Sequence, residues 1–324
     1  MRILIRILIA LVLVVVFVAV EIFVVPAASV PTTQPLLGYS YTQAVAEINQ
    51  DIAKVDLQRI QSVCRPILLD HGTQTKKAIL LFHGYTSCPQ QFEPFAKLLY
   101  DQGYNVYVPL LPEHGLTASH VNELHQLTAE ELTASADLAT ARALGLGNSL
   151  TVLGISMGGV LSLWEAQHDS RIAHVVAIAP AIYLNGIPTP LRSAVARIFS
   201  IVPAYFLWWD GVLKDKAVSA PYVLKQNSSK ADGEIIRVNL TFEKNLSNGV
   251  LARPVVIFAN QNDETVPLGD LQQLFPKILN VQPSSSFIIF PQHDLPHDVI
   301  DIHKNPYTDE VYTMLLKTLD AWNE

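Results

Sequence analysis

A serine flanked by glycines lies near the middle of the chain, in Gly154-Ile155-Ser156-Met157-Gly158. The preceding residues, Leu150–Leu153, are apolar and typical of a buried strand, and a helical pattern opens at Met157. A sharp strand-to-helix turn holds a serine hydroxyl above the edge of a sheet, where a base can reach it. The helix N-terminus beside it favours developing negative charge. Ser156 is therefore the predicted nucleophile.

A second motif, Leu81-Phe82-His83-Gly84-Tyr85, closes the first strong strand pattern. Gly84 permits a tight turn, so that the backbone N–H of Tyr85 can face the same pocket as the N–H of Met157. Two such donors near an incipient oxyanion stabilise a transition state by several kcal/mol. We predict Tyr85 and Met157 as the oxyanion donors. His83 is predicted to brace this loop by hydrogen bonds rather than to act in catalysis.

A serine nucleophile needs a base, and the base needs an orienting acid; along this type of chain the order is serine, acid, histidine. Asp263 lies just past the apolar run Val255–Ala259, where sites form in parallel sheets, and Glu264 is its rival. The last apolar run leads to two histidines, His293 and His297, which compete as the base.

Short apolar segments alternate with amphipathic ones along most of the chain. The segments predicted as buried strands are Ala78–His83, Asn105–Pro109, Leu150–Ile155, His174–Ala179, Pro254–Ala259 and Ser286–Phe290. The predicted helices are Thr42–Ile60, Gln90–Gln102, Ala129–Leu144, Met157–Gln167, Leu268–Leu279 and Asp309–Trp322. Strands without polar alternation, separated by such helices, predict an α/β fold with a mostly parallel, doubly wound sheet.

Residues 181–252 interrupt this alternation. An insertion of about 70 residues is too long for an ordinary loop, so we predict a helical cap. Its aromatic residues Phe206, Trp208 and Trp209 are predicted to line an apolar substrate pocket. The alternative is that these rings form the small core that holds the cap on the sheet.

The first 25 residues are the most apolar part of the chain. Arg2 and Arg6 precede an unbroken apolar run over residues 7–20, which predicts a retained signal-anchor helix or a cleavable signal peptide. Residues 26–41 are rich in Pro, Thr and Ser and predict a linker to a domain at 42–324. Either interpretation places that domain outside the cytoplasm, where the two cysteines, Cys64 and Cys88, could pair.

The motifs resemble those of α/β-hydrolases, and residues 76–322 are similar to the bacterial carboxylesterase and monoacylglycerol-lipase-like group. The resemblance rests on His83-Gly84-Tyr85-Thr86, the elbow Gly154–Gly159 and the acid segment Asp263-Glu264-Thr265-Val266-Pro267. The group's base is a histidine followed by short apolar residues, a pattern that His297-Asp298-Val299-Ile300 matches better than the segment at His293.

The chain departs from that group in three places. Where many members have a Gly-His-Gly turn, this chain has Pro112-Glu113-His114-Gly115, and a polar residue, Asp298, directly follows the predicted base. Residues 1–75 lie outside the resemblance.

These patterns predict a serine hydrolase that cleaves small to medium acyl esters or monoacylglycerol-like lipids through an acyl-enzyme. No cofactor or metal is expected, since no metal-ligand or phosphate-loop motif occurs. A net charge of −7 gives no basic surface for nucleic acid, and no pattern sets an oligomeric state. The same triad serves thioesterases, amidases, peptidases and acyltransferases, and a non-catalytic membrane-tethered binding protein is the third alternative.

Overall fold

The computed structural model describes residues 9, 12, 13, 16, 19–32, 34–183, 186–216, 220–291 and 294–322. The strands are β1 (Ile67–Leu69), β2 (Thr75–Phe82), β3 (Tyr104–Val108), β4 (Gly147–Ile155), β5 (His174–Ile178), β6 (Phe206–Trp208), β7 (Gln226–Ser228), β8 (Val255–Ala259) and β9 (Ser286–Ile289). Seven of them form one sheet in the order β1-β3-β2-β4-β5-β8-β9, and β6 pairs with β7. Within the large sheet only the pairing of β1 with β3 is antiparallel. The predicted fold class is therefore confirmed.

The six predicted strands coincide with β2, β3, β4, β5, β8 and β9, with ends displaced by three residues or fewer. Strand β1 has no counterpart among the predicted strands. Its three residues are half-buried at the edge of the sheet, and so short a run carries no usable periodicity.

The helices are α1 (Tyr41–Lys54), α2 (Glu93–Asp101), α3 (Ala129–Leu146), α4 (Met157–His168), α5 (Arg192–Ile201), α6 (Ser229–Ser247), α7 (Leu268–Val281) and α8 (Thr308–Asp320). The expected helix Thr42–Ile60 was too long, since α1 ends at Lys54. The chain turns at Asp56, whose carbonyl accepts the N–H of Ile60, and Ile60 then forms an isolated bridge with Leu116. Ile60, which suggested another helical turn, instead belongs to this bridge, and its apolar side chain is buried in the hydrophobic core.

Two hydrophobic clusters cover the two faces of the sheet. Successive residues of β2 alternate between them: Leu80 and Phe82 belong to one cluster, and Ile79 and Leu81 to the other. All four side chains are fully buried. Helices cover both faces of the sheet, so its functional groups can emerge only at the ends of the strands.

The segment predicted as a cap, residues 181–252, contains α5, α6 and the β6–β7 pair. We call it the insertion. Ser228 begins α6 by accepting the N–H of Ala231. A salt bridge between Arg192 and Glu243 joins α5 to α6, and Tyr183 donates a hydrogen bond to the same carboxylate.

The chain that precedes α1 lies against the insertion. The N–H of Ala27 donates to Ser193 on α5, at 2.7 Å, and the N–H of Val30 donates to Thr241 on α6, at 2.9 Å. Residues 26–30, predicted as part of a linker, thus follow the surface of α5 and α6. Most of the predicted signal or anchor segment (residues 1–8, 10, 11, 14, 15, 17 and 18) lies outside the described residues. In the described part of the chain, no helix combines the length and the apolar character needed to cross a membrane.

Candidate active site

Ser156 occupies the turn between β4 and α4. Its backbone has φ 56° and ψ −119°, a conformation that L-residues rarely adopt and that is typical of a nucleophile elbow. The neighbouring chain holds this turn in place, since the N–H of Ser156 donates to Ile178 and its carbonyl accepts the N–H of Ala181. A side chain at Gly158 would lie 2.0 Å from the carbonyl oxygen of Phe82, so only glycine permits this crossing.

The loop after β2 is held in place by hydrogen bonds of the His83 ring and of the Gly84 carbonyl. His83 donates from Nδ1 to the carbonyl of Gly84, at 2.9 Å, and accepts the N–H of Leu111 at Nε2. Burial lowers the pKa of His83 to about 3, so the ring is neutral, and its two hydrogen bonds join the loop to Leu111 in the manner predicted for a bracing residue. The carbonyl of Gly84 also accepts the N–H of Ser87. In a trans peptide the N–H points away from the carbonyl, so the N–H of Tyr85 faces the opposite side.

Asp263 follows β8, and its carboxylate is fully enclosed. One oxygen accepts the backbone N–H groups of Thr265 and Val266, each at 2.8 Å. The other oxygen lies 2.7 Å from Nδ1 of His297. Asp263 is thus fixed by its own turn and presents a single oxygen to the imidazole.

His297 lies in the loop after β9, with its side chain largely buried. Because Nδ1 donates to Asp263, the lone pair of the neutral ring is on Nε2, which is buried and has no hydrogen-bond partner among the described residues. Burial disfavours the charged ring, but the hydrogen bond and charge of Asp263, with a further contribution from Asp298, raise the pKa of His297 above its usual value. The competing His293 lies outside the described residues.

Two cavities meet at Ser156. Cavity A, of about 520 Å³, is lined by Gly84, Tyr85, Thr86, Ser87, Ser156, Trp209, Asp210, Leu213, Val223, Leu224, Lys225, Glu264, Thr265, His297, Asp298 and Lys304. Cavity B, of about 460 Å³, is lined by Tyr85, Ser156, Met157, Ala181, Gly186, Ile187, Phe199, Leu207, Trp209, Asn227, Asp232, Ile235, Glu264 and Thr265. Ser156, Tyr85 and His297 line cavity A, and Ser156, Tyr85 and Met157 line cavity B, so the predicted nucleophile and one predicted oxyanion residue are common to both. Glu264, the rival acid, borders both cavities.

The three aromatic residues predicted to bind substrate differ in position. Trp209 lines both cavities, and its Nε1–H donates to the hydroxyl of Thr86 at 3.0 Å. Phe206 packs against His125, with ring centroids 4.3 Å apart and the ring planes tilted by 33°, and neither it nor Trp208 is among the described residues that line the two cavities. A substrate contact for Phe206 and Trp208 stays a prediction.

Gln91 and Asp298 were not among the predicted functional residues. Gln91, buried in the turn Pro89–Phe92, connects Gly84 to Asp298 by side-chain hydrogen bonds. The available signal for Asp298 was its position as a polar residue directly after the predicted base.

Cys64 and Cys88 form a disulfide, which joins the segment before β1 to the start of the turn Pro89–Phe92. Within the described ranges, no group of histidine, cysteine and acidic residues is arranged to hold a metal ion.

Comparison with known families identifies this fold. The family described as serine aminopeptidase, S33, matches residues 73–241, just over half of the chain. The chain belongs to this family. Among curated proteins, a thermostable monoacylglycerol lipase of Bacillus sp. (strain H-257) is 25% identical over 204 residues, which cover 63% of this chain and 77% of the relative.

Solved structures agree with the family on the fold. A structure from the metagenome-derived lipolytic enzymes LipS and LipT aligns with a TM-score of 0.64 at 21% identity, covering 81% of this chain and 99% of the other. The monoacylglycerol lipase of Paleococcus ferrophilus aligns with a TM-score of 0.61 at 19% identity, covering 79% and 98%. This S33-family member is a lipase- and esterase-like α/β-hydrolase, similar to monoacylglycerol lipases.

Proposed function

We propose that this hydrolase cleaves carboxylic esters of the monoacylglycerol type through an acyl-enzyme on Ser156, with His297 as base and Asp263 as orienting acid. One observation carries the proposal. The ring of His297 is held at Nδ1 by Asp263, its buried Nε2 is unpartnered within the described chain, and the residue lines a cavity that Ser156 also lines. A nucleophile, a base and a group that orients the base are the set that acyl transfer requires.

The proposed steps use only groups of this chain and water. His297 Nε2 takes the proton of the Ser156 hydroxyl as Oγ bonds to the acyl carbon. The carbonyl oxygen becomes an oxyanion that accepts the N–H groups of Tyr85 and Met157. The ester C–O bond then breaks, and the alcohol leaves with the proton from His297. Water attacks the acyl-enzyme with His297 again as base, and the carboxylic acid is released.

The cavities fit an ester whose two ends differ in polarity. Cavity B has a mainly apolar wall that includes Met157, Phe199 and Ile235, which suits an acyl chain. Cavity A also presents charged side chains, among them Lys225 and Lys304, which suit the hydroxyls of a polyol. We therefore assign the acyl chain to cavity B and the alcohol to cavity A.

Turnover of p-nitrophenyl esters of increasing chain length, and of a monoacylglycerol, tests the proposal. Ser156→Ala and His297→Ala should each lower kcat/KM by at least about 10³-fold. Loss of activity in Ser156→Ala but not in His297→Ala would transfer the role of base to His293. An inactive wild-type protein that is nonetheless labelled by a fluorophosphonate at Ser156 would have the machinery but another substrate.

Amide hydrolysis is the second candidate, because the family's description names an aminopeptidase. The same three residues would cleave an aminoacyl-p-nitroanilide, so this substrate is included in the assay. Turnover of the anilide with a higher kcat/KM than that of any ester would replace ester hydrolysis as the proposed function. Ester turnover alone would leave the relationship to monoacylglycerol lipases as the better guide.

We also propose that the domain is held on the extracytoplasmic side of a membrane by its N-terminal segment, or is secreted after cleavage of that segment. The apolar run over residues 7–20 after two arginines supports this location. The Cys64–Cys88 disulfide supports it independently, since disulfides persist mainly outside the cytoplasm. Cell fractionation, with mass analysis of the mature N-terminus, separates anchor from cleaved signal. Recovery of the protein with reduced cysteines in the cytosol would overturn both versions.

A further inference from the structure

Asp298 is the polar residue that directly follows the proposed base. A chain of hydrogen bonds joins it to the loop after β2, residues 83–86, which we call the oxyanion loop. Its Oδ1 accepts from Nε2 of Gln91, at 2.8 Å, and Oε1 of Gln91 accepts the N–H of Gly84, also at 2.8 Å. The other carboxylate oxygen of Asp298 accepts from the ammonium of Lys304. Gln91 is buried, with 1% of its surface exposed.

A donor at one end of these hydrogen bonds and an acceptor at the other fix the orientation of the Gln91 amide between them. A backbone N–H can only donate, and an ionised carboxylate can only accept. Burial disfavours ionisation of Asp298, but the charges of Lys304 and His297 and the hydrogen bonds from Lys304 and Gln91 together lower the pKa of this carboxyl below its usual value. The Gln91 amide must therefore turn its oxygen to Gly84 and its nitrogen to Asp298. A flipped amide would place its NH2 group against the N–H of Gly84 and its oxygen against the carboxylate of Asp298.

The loop end of this chain lies directly against the nucleophile. A Cβ atom placed on Gly84 would be 3.5 Å from Oε1 of Gln91 and 3.6 Å from Cβ of Ser156. Gly84 is thus enclosed between Gln91 and the nucleophile elbow, and the next N–H along the chain is that of Tyr85. A displacement of Gln91 would move the oxyanion donor relative to the serine.

We propose that Asp298 is a positioning residue: through Gln91 it sets the oxyanion loop against Ser156 and couples that loop to the loop that carries His297. The inference rests on the proposed function of the Ser156 site. Asp298 has a second effect on the same site, because its negative charge favours the protonated form of His297. One carboxylate thus acts on the oxyanion loop by hydrogen bonding and on the base by charge.

A charge exchange tests this arrangement. Gln91→Glu places a carboxylate against Asp298, and kcat should fall by about 10- to 100-fold, part of the cost of losing an oxyanion donor, with KM changed less than about threefold. Adding Asp298→Asn rebuilds the chain: the carboxylate introduced at position 91 accepts from both Gly84 and the amide introduced at position 298, and the total charge equals that of the wild type. The double variant should recover kcat to within about fivefold of the wild type, although both changes are present.

Gln90→Glu is the matched control, because Gln90 donates to Glu93 and is not among the residues that line the two cavities. It introduces the same repulsion between carboxylates without touching Gly84, so kcat should stay within about twofold of the wild type. Thermal unfolding of all variants shows whether each is folded. A double variant no more active than Gln91→Glu, or a Gln90→Glu variant equally impaired, would overturn the proposal.

Two further measurements separate this inference from the proposed substrate. The rate of phosphonylation of Ser156 by a fluorophosphonate needs the base and the oxyanion loop but no particular ester, so the order of the variants should be the same even if esters are not turned over. In Asp298→Asn the acid limb of the rate should move to lower pH. His297 must be neutral to act, and the charge that raises its pKa is then absent, while Asp263 and Lys304 remain. An unmoved limb would contradict the role of this charge.

Discussion

The loops at the carboxyl ends of the strands, here called the sheet edge, and the insertion both contribute residues around Ser156. The two regions are built differently. At the edge, the groups of the candidate site are held by short backbone turns: Asp263 by two N–H groups of its own loop and His83 by Gly84 and Leu111. In the insertion, large apolar side chains stand in solvent, with Ile201 65% and Val212 91% exposed. The hydrogen-bonded turns thus belong to the sheet edge, and these exposed apolar side chains belong to the insertion.

From this difference we infer that the sheet edge carries the proposed chemistry and that the insertion sets the selectivity. Reacting groups need a fixed geometry, because small displacements of a base or an oxyanion donor cost large factors in rate. A binding wall tolerates looser packing, because apolar contacts are not directional. We therefore expect substitutions at the sheet edge to change kcat or folding, and substitutions in the insertion to change stability or KM.

The largest expected effect is that of Asp263→Asn. The amide can turn its nitrogen towards His297 and favour the tautomer with the proton on Nε2, which cannot accept the serine proton. The value of kcat should fall by about 10⁴-fold while folding is retained, as judged by circular dichroism and the kinetics of ester hydrolysis.

Glu243→Gln in the insertion is the contrasting variant. Glu243 pairs with Arg192 and accepts from Tyr183, so its loss should lower the free energy of unfolding by about 2 kcal/mol and leave kcat within about threefold of the wild type. Urea denaturation gives the first value. A fall in kcat comparable to that of Asp263→Asn would contradict the division of roles.

The next largest effect concerns the close crossing of α4 and β2. A methyl group at Gly158 would meet the backbone of Phe82 and His83 at 2.6 Å or less, and backbone atoms cannot move aside without shifting the strand. Gly158→Ala should lower the free energy of unfolding by about 3 kcal/mol or more. Gly211→Ala in the insertion should change it by less than about 0.5 kcal/mol, because no described atom beyond the neighbouring residues would lie within 4 Å of the added Cβ. Equal effects in urea denaturation would refute the comparison.

Sequence patterns could predict the sheet edge because the chemistry there depends on local constraints. The glycines beside Ser156 indicate the close crossing of α4 and β2, which a larger residue would prevent. Apolar runs indicate strands such as β5 and β8, which are buried on both faces. The chain order of the proposed nucleophile, acid and base follows from that topology.

The insertion was predictable only as an interruption. Its strands β6 and β7 have three residues each, and Phe206 packs on His125 from a distant part of the chain. The Gln91–Asp298 contact likewise joins residues 207 positions apart. No local periodicity encodes such pairs, and the identity of each residue alone does not name its partner.

The disulfide extends the rigid side of the comparison. Both sulfur-bearing residues, Cys64 and Cys88, are fully buried, and they close a loop with a sequence separation of 24. Replacing both by serine should lower the free energy of unfolding by about 3 kcal/mol, since the unfolded chain regains the entropy of that loop. Urea denaturation with and without reductant measures it. A wild-type protein that reductant does not destabilise would show that this link contributes little.

The smallest effect is expected on the looser side, at Trp209. Its indole is half exposed, yet it lines both cavities and lies edge-on to Tyr85. Trp209→Ala should widen both cavities and remove apolar contact with the substrate. KM for long-chain esters should rise about three- to tenfold, the effect of about 1 kcal/mol of lost contact, with kcat nearly unchanged. Val212→Ala, which removes a more exposed side chain that is not among the cavity-lining residues, should leave KM unchanged. If Trp209→Ala instead lowers kcat for every chain length, this residue supports the oxyanion loop through Thr86, and the rigid region extends into the insertion.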